Sequence, residues 1–140
     1  MRVSPETKMK ALVVEDEPTN RVMLQSFLSI YGECQVVTNG KDAIAAFRRA
    51  LEANERFDLI CMDIVMPKMN GHEAVLAIRT LEHDYGVDPR KRARIVMTSV
   101  LNNSEAVYTA VMLDCDAYLL KPINLRKLLA HLKAFGLAPS

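Results

Sequence analysis

Five short apolar segments, each followed by a stretch with helical periodicity, constrain the fold of this 140-residue chain more than any other feature. The segments are five or six residues long and rich in Val and Ile, which is typical of strands buried in a parallel sheet. They predict strands at residues 9–14, 34–38, 57–62, 93–97 and 116–120. The intervening patterns predict helices from residue 18 to about residue 31 and at 42–52, 72–83, 103–113 and 125–135. This alternation predicts a doubly wound α/β domain.

The first predicted helix begins at Pro18, because proline suits the first turn of a helix. Its apolar stripe is expected to consist of Val22, Met23, Phe27, Leu28 and Ile30. No repeat, low-complexity segment or linker divides the chain. We therefore expect a flexible N-terminal tail at residues 1–8, one domain at 9–136 and a short C-terminal tail at 137–140.

The composition excludes several classes of protein. Hydrophobic residues make up 50% of the chain and charged residues 25%, and the net charge is +1, so no overall charge favours nucleic acid or membrane surfaces. No apolar run approaches the ~20 residues of a membrane helix, and the N-terminus has no signal-peptide pattern. Cys34, Cys61 and Cys115 show no C-x-x-C spacing. Free thiols in a cytoplasmic protein are the expectation.

Four of the five predicted strands end at residues that can bind a cation or a phosphate. Glu15 and Asp16 follow the first strand, Asp63 the third, Thr98 the fourth and Lys121 the fifth. Ligands of parallel α/β sheets bind beyond the carboxyl ends of the strands, so these side chains are expected to converge. Taken singly, Glu15 and Asp16 could be solvated acids near a helix N-terminus, and Asp63 could cap a turn. Thr98 could simply end its strand, and Lys121 could be a surface lysine. Their joint placement favours a site.

This set of side chains suits the transfer of a phosphoryl group to a carboxylate. Clustered carboxylates bind hard divalent cations, and Mg²⁺ is expected because it combines one or two carboxylates with phosphate oxygens and water. Asp63 is the expected nucleophile and would become an acyl phosphate. Lys121 offers a positive charge, and Thr98 a hydroxyl group, to the phosphoryl oxygens.

At these residues the chain resembles the receiver domain of response regulators, the CheY-like superfamily of two-component signalling. The resemblance spans about residues 9–135. It is carried by VVEDEPTNRVML, DLICMDIVMPKMNGHEA, IVMTS and DAYLLKPINLRKLL, of which the D-x-x-M-P-x-M-x-G run from Asp63 to Gly71 is the most specific. The resemblance implies a flavodoxin/CheY-like three-layer sandwich with five helices and the strand order 2-1-3-4-5.

The resemblance also implies a role for each site residue. It makes Asp63 the phosphoacceptor, Asp16 a direct Mg²⁺ ligand and Glu15 a ligand that acts through water. The remaining implied roles are a metal-ligating backbone carbonyl for Val65, a switch hydroxyl for Thr98, a phosphate-binding amine for Lys121, a cis peptide bond for Pro122 and a switch aromatic ring for Tyr118.

By the same resemblance, the protein is expected to be a stand-alone signalling domain, not an enzyme, that promotes its own phosphorylation and dephosphorylation. The donor would be a sensor histidine kinase or a histidine phosphotransfer protein. The face formed by the fourth helix, the fifth strand and the fifth helix would then bind a downstream protein target, or the domain would pass its phosphoryl group onward in a phosphorelay. A monomer or a weak, phosphorylation-dependent dimer is expected, without direct contact to nucleic acid or membrane.

Two features depart from the family pattern. Val65 and Val100 are apolar at positions that line the path of the hydrolytic water in the family, which predicts slow loss of the phosphoryl group. The connector at residues 84–94 is long and carries four cations, namely Arg90, Lys91, Arg92 and Arg94. It is either a solvated loop or a docking patch for an acidic partner.

Four other functions fit the sequence less well. A dehalogenase-type phosphatase would need a second acid where Val65 stands, and a flavodoxin-like flavin carrier would suffer repulsion between its phosphate and the acidic pair. A histidine phosphotransfer protein built on His72, His83 or His131 would be a helical bundle, whereas this chain alternates strands with helices. The remaining alternative is a receiver-fold interaction module that works without phosphorylation.

Overall fold

The fold is an α/β sandwich around one parallel sheet, as the strand pattern predicts. In this computed structural model the described residues are 9–66, 69–100, 104, 105, 109 and 115–139. The sheet has five strands in the order β2-β1-β3-β4-β5, and every pairing is parallel. The strands are β1 (Met9–Val14), β2 (Gly32–Val37), β3 (Leu59–Asp63), β4 (Arg94–Ser99) and β5 (Ala117–Leu120). The predicted fold class and strand order are confirmed.

Four α-helices lie within the described residues, against five predicted. They are α1 (Pro18–Leu28), α2 (Gly40–Glu52), α3 (Gly71–Asp84) and the C-terminal helix (Leu125–Ala134), and a short 3-10 helix spans Pro89–Lys91. The predicted helix at 103–113 falls outside the described residues except for 104, 105 and 109, which are helical. Across the part of the chain that is described, no helix is both long and apolar enough to cross a bilayer.

Two apolar layers, one on each face of the sheet, form the core. Alternate residues of a strand point to opposite faces, so Leu12 and Val14 of β1 join one layer while Ala11 and Val13 join the other. The first layer packs under α2 and α3 through side chains such as Phe47, Ala74 and Ile78. The second packs under α1 and the C-terminal helix through Leu24, Leu28, Leu128 and Leu132. This layering fixes all five strands from both sides.

The apolar stripe predicted for α1 is partly wrong. The side chains of Val22 and Ile30 are 62% and 57% exposed, whereas Leu24 and Leu28 are buried. Leu24 and Leu28 are one helical turn apart and share a face, but Val22 precedes Leu24 by two residues and therefore points away from the sheet. Ile30 lies beyond the end of the helix at Leu28.

Polar residues that follow the strands also start the helices. The side chain of Asn39 accepts a hydrogen bond from the backbone N–H of Asp42, and that of Asn70 accepts one from Glu73. Asn124 caps the C-terminal helix in the same way. Such caps satisfy N–H groups that have no partner within the helix. Each helix is therefore anchored beside the edge of the sheet where the strands end.

The opposite edge of the sheet is held by an ion network. Arg79 Nη1 lies 2.7 Å from Oε1 of the buried Glu82, whose Oε2 accepts a hydrogen bond from Ala93 N at 2.8 Å. Arg79 Nη2 also lies 3.3 Å from Asp116 Oδ2, and Asp116 accepts a hydrogen bond from Ile95 N. The network ties α3 to the beginnings of β4 and β5, so each buried charge has a partner.

We predict that Gly71→Ala lowers the free energy of unfolding by about 1–3 kcal/mol, as measured by urea denaturation. A Cβ at Gly71 would clash with the backbone oxygen of Asp63 and lie 2.8 Å from the Ile64 Cα, and backbone atoms cannot move aside cheaply. Gly40→Ala is the control, because its Cβ would meet only flexible side-chain atoms of Met69, at 3.0–3.2 Å. Equal effects of the two variants would contradict the prediction.

Candidate functional site

Three carboxylates from two neighbouring strands meet at one edge of the sheet. Glu15 and Asp16 directly follow β1, and Asp63 is the last residue of β3, which pairs with β1. One carboxylate oxygen from each of the three lies within 4.8 Å of the others. Glu15 and Asp63 are buried, whereas Asp16 is exposed. The apolar strands thus hold two acids in the interior and leave the third facing solvent.

Lys121 brings a positive charge into this cluster from the end of β5. Its Nζ lies 2.7 Å from Glu15 Oε1 and 3.1 Å from Asp63 Oδ2. The backbone N–H of Lys121 donates to Ser99 O at 2.8 Å, which fixes the residue beside the end of β4, and the Lys121–Pro122 peptide bond is cis. A single ammonium group therefore bridges carboxylates from two different strands.

Burial and neighbouring charge set the protonation of the cluster. Burial, followed by the hydrogen bond and the charge of Glu15, raises the pKa of Asp63 from 3.8 to about 7 against the opposing effect of Lys121. Burial works to lower the pKa of Lys121, but its hydrogen bonds to Glu15 and Asp63 prevail and raise it. The lysine therefore remains cationic at neutral pH, while the negative charges of the site outnumber it.

The other predicted site residues, Thr98, Val65, Val100 and Tyr118, differ in their burial. Thr98 is buried and pairs in register with Asp63, and its carbonyl accepts a hydrogen bond from Ile64 N at 2.9 Å. The side chains of Val65 and Val100 are 57% and 70% exposed, and Val65 N donates to Asp63 Oδ1 at 3.2 Å. The half-buried Tyr118 packs against the layer under α2 and α3.

The third acid after β1 serves the backbone instead of the cluster. Glu17 is the N-cap of α1, and its carboxylate accepts hydrogen bonds from Asn20 N at 2.7 Å and Thr19 N at 3.1 Å. These hydrogen bonds lower the pKa of the exposed Glu17, and the bond from Asn20 has the larger effect. Glu17 was not among the predicted site residues. An acid directly before Pro18 at the start of a helix was the available signal.

The carboxylate cluster fits a Mg²⁺ ion. Mg²⁺ binds oxygen ligands at about 2.1 Å in octahedral geometry, so two of its ligands lie at most about 4.2 Å apart. Carboxylate oxygens within 4.8 Å of one another are close to that span, and the exposed Asp16 leaves the site open to solvent. Glu15, Asp16 and Asp63 are the side chains that could hold the ion, directly or through the water molecules that Mg²⁺ usually keeps.

Comparison with known proteins agrees with this geometry. The sequence model of the response regulator receiver domain matches residues 11–133. The chain belongs to this family. It is 33% identical, over 130 residues, to the two-component response regulator ORR41 of Oryza sativa subsp. japonica, and the match covers 93% of this chain and 96% of ORR41. The chain spans only 4–48% of the length of longer curated relatives, which include sensor and hybrid histidine kinases.

Solved receiver domains share the fold. The receiver domain of the Saccharomyces cerevisiae response regulator Ssk1, solved in complex with the histidine phosphotransfer protein Ypd1, gives a TM-score of 0.79 at 28% identity, with 92% of this chain and 89% of that chain covered. The receiver domain of the Arabidopsis thaliana histidine kinase CKI1, solved with Mg²⁺ and BeF₃⁻, gives 0.77 at 29% identity, with 90% of each chain covered. The receiver domain described here is therefore a module of two-component signalling.

We predict that Asp63→Asn makes the metal-free receiver domain more stable at pH 8, and that the gain shrinks as the pH falls toward 5. The folded state keeps the Asp63 proton up to a pH of about 7, whereas the unfolded chain releases it near 3.8. Because the folded state binds this proton more tightly, the free energy of unfolding falls as the pH rises from 3.8 to about 7. The neutral amide of asparagine at position 63 avoids this loss. Urea denaturation in EDTA measures the effect.

The control for this prediction is Glu33→Gln, which removes an exposed carboxylate from the edge strand β2. We expect no comparable gain in the control. A gain for Asp63→Asn that stays constant with pH, or a loss of stability at pH 8, would contradict the raised pKa of Asp63.

Proposed function

We propose that this receiver domain accepts a phosphoryl group on Asp63 in a Mg²⁺-dependent reaction. One observation carries the proposal: the buried carboxylate of Asp63 lies beside the acidic pair and 3.1 Å from the ammonium group of Lys121. Such an arrangement presents a nucleophile together with positive charge for the incoming phosphoryl oxygens. The donor is the phosphohistidine of a sensor histidine kinase or a histidine phosphotransfer protein.

In the proposed transfer, an oxygen of the ionised Asp63 carboxylate forms a bond to phosphorus as the bond between phosphorus and the donor histidine nitrogen breaks. The nitrogen keeps the electron pair and can take up a proton from solvent. Lys121 lies 3.1 Å from Asp63 Oδ2, so its charge is placed to stabilise negative charge on the transferred group. Thr98 is the proposed hydroxyl donor to another phosphoryl oxygen, in line with its position beside Asp63.

Glu15, Asp16 and Asp63, with the backbone carbonyl of Val65, are the proposed ligands of Mg²⁺. When bound, the ion would neutralise charge between the carboxylates and the phosphoryl oxygens. The CKI1 receiver domain was crystallised with Mg²⁺ and BeF₃⁻, which supports this ligand chemistry for a close structural relative. The complex of Ssk1 with Ypd1 likewise supports a phosphotransfer protein as one class of donor.

Phosphorylation is proposed to shift a surface that is made of the predicted fourth helix, β5 and the C-terminal helix. A phosphoryl group shifts an equilibrium only through contacts that are better in one state than in the other. Thr98 lies next to Asp63 and Tyr118 lies on β5, opposite Met97 in the register. Movement of Thr98 toward the phosphoryl group would let the Tyr118 ring turn inward, and this changes the surface offered to a protein target.

We predict that acetyl phosphate with Mg²⁺ adds the mass of one phosphoryl group to the intact protein, as measured by mass spectrometry. Asp63→Asn is expected to abolish the adduct because it removes the nucleophile, and EDTA is expected to suppress it. Asp42→Asn, at an exposed acid in the first turn of α2, is expected to phosphorylate normally.

An adduct that persists in Asp63→Asn, or forms equally in EDTA, would contradict the proposed function. Complete absence of an adduct in the wild-type protein would instead favour an interaction module that works without phosphorylation.

The two exposed valines beside the cluster are proposed to slow hydrolysis of the phosphorylated form. Neither Val65 nor Val100 has a side-chain group that can orient water, and both are more than half exposed. A water molecule near them lacks the hydrogen bonds that would place it for attack on phosphorus.

We predict that Val65→Asn speeds the loss of the phosphoryl group several-fold, followed by intact mass after the donor is removed. The amide supplies a hydrogen-bonding group where the valine has none. Val22→Asn is a matched control, because Val22 is a similarly exposed valine on α1 at 62%. No acceleration in Val65→Asn, or equal acceleration in both variants, would count against the proposal.

A further inference from the structure

A second cleft lies at the edge of the sheet where the strands begin, opposite Asp63. Its walls are the end of α2 with the turn after it (residues 51–56) and the end of α3 with the connector (residues 85–91). The volume of the cleft is about 390 Å³, enough for a few side chains of another molecule. We call it the basic cleft because of its charge.

The carboxylates that line the basic cleft are already paired. Glu55 Oε2 lies 2.8 Å from Lys10 Nζ, and Asp88 Oδ2 lies 3.0 Å from Arg90 Nη2. These two ion pairs are neutral. The side chain of Lys91, also in the lining, forms no hydrogen bond or ion pair within the described residues. Its charge adds a weaker effect to the hydrogen bonds of Arg90, which mainly lower the pKa of Asp88.

Arg56 is the second cation of the lining, and a hydrogen bond orients it. Its Nη1 donates to the backbone oxygen of Lys91 at 2.8 Å, so the guanidinium spans the two walls of the cleft. No carboxylate of the described residues pairs with Arg56. A guanidinium has five N–H donors, and those left over can bind a carboxylate in a bidentate manner. Among the described residues, the lining thus carries two cations that form no ion pair with a carboxylate.

The walls of the cleft are ordered turns. Asn54 and Gly86 adopt left-handed backbone conformations, with φ of 58° and 68°. Asp88 caps the short 3-10 helix by accepting a hydrogen bond from Arg90 N at 2.9 Å. Tyr85 is 45% exposed, and its hydroxyl donates to Glu52 Oε1 at 3.0 Å, so its ring is held in place. Little ordering of the walls is therefore needed when a ligand binds.

We propose that the basic cleft binds an acidic segment of a partner protein. A carboxylate of that segment pairs with Arg56 and Lys91, and a neighbouring apolar side chain packs against Tyr85. The partly apolar lining, which includes the half-buried Leu51 and Val87, favours a peptide over a small anion. Because the cleft lies at the far edge of the sheet from Asp63, a docked partner leaves the phosphoacceptor accessible.

The test uses the full chain and two synthetic peptides, one of alternating glutamate and leucine and one with glutamine in place of glutamate. We expect the acidic peptide to shift backbone amide signals of residues 51–56 and 85–91 in NMR spectra, with higher affinity at low salt. Arg56→Glu combined with Lys91→Glu is expected to weaken binding by about tenfold or more. Lys91→Glu alone breaks no hydrogen bond or ion pair among the described residues, and it is expected to weaken binding several-fold.

Arg126→Glu combined with Lys133→Glu is the control, because it makes the same charge change at exposed cations of the C-terminal helix. Unchanged binding in this control supports the proposal. Equal weakening in both double variants, equal affinity for the glutamine peptide, or the same amide shifts with inorganic phosphate would overturn it. Acetyl phosphate should phosphorylate all variants alike, so failure at the basic cleft is distinguishable from failure of the proposed function at Asp63.

Discussion

The ammonium group of Lys121, held between the buried carboxylates of Glu15 and Asp63, is the interaction on which the site depends. Burying two carboxylates together without a counter-ion would cost far more than any surrounding contact returns. The lysine lies 2.7 Å from one and 3.1 Å from the other, and so allows both acids to stay inside. Lys121 only partly opposes burial and the neighbouring Glu15, so the pKa of Asp63 stays raised. The exposed Asp16 adds a further carboxylate to the cluster.

The parallel sheet makes this arrangement possible, because it brings the ends of strands that are distant in sequence to one edge. Asp63 and Lys121 are separated by 58 residues, yet each is positioned by the strand that it ends or follows. Gly71 lets α3 start close against the backbone of Asp63 and Ile64, where a larger residue would clash. At the opposite edge, the network around Arg79 and Glu82 secures the strand beginnings, so the charged site forms on a rigid frame.

Much of the fold was predictable from the sequence, because the alternation of strands and helices is visible in local patterns of apolar residues. The predicted bounds of β1, residues 9–14, match the structure, and the other four predicted strands differ at their ends by up to two residues. The placement of acids at strand ends correctly indicated that Glu15, Asp16 and Asp63 would meet. Val22 was wrongly predicted to lie on the buried face of α1, because α1 has apolar residues on more than one side and the sequence does not show which side meets the sheet.

Features that depend on which side chains pair in the folded chain could not be predicted. The connector at residues 84–94 shows four cations in the sequence, but Arg90 pairs with Asp88 and Arg94 with Asp116. Of the connector cations, Lys91 lines the basic cleft and forms no ion pair within the described residues, and Arg56 from the turn after α2 lies there too. The balance of charge at a surface is a property of the folded chain, and residue counts do not give it.

The dependence of the free energy of unfolding on Mg²⁺ concentration tests most directly whether the carboxylate cluster needs a second cation. A ligand that binds only the folded state stabilises it by an amount that rises with the logarithm of its concentration. The account predicts such a rise for the wild-type protein at constant ionic strength, and its loss in Asp16→Asn. No rise in the wild-type protein, or an equal rise in Asp16→Asn, would contradict it.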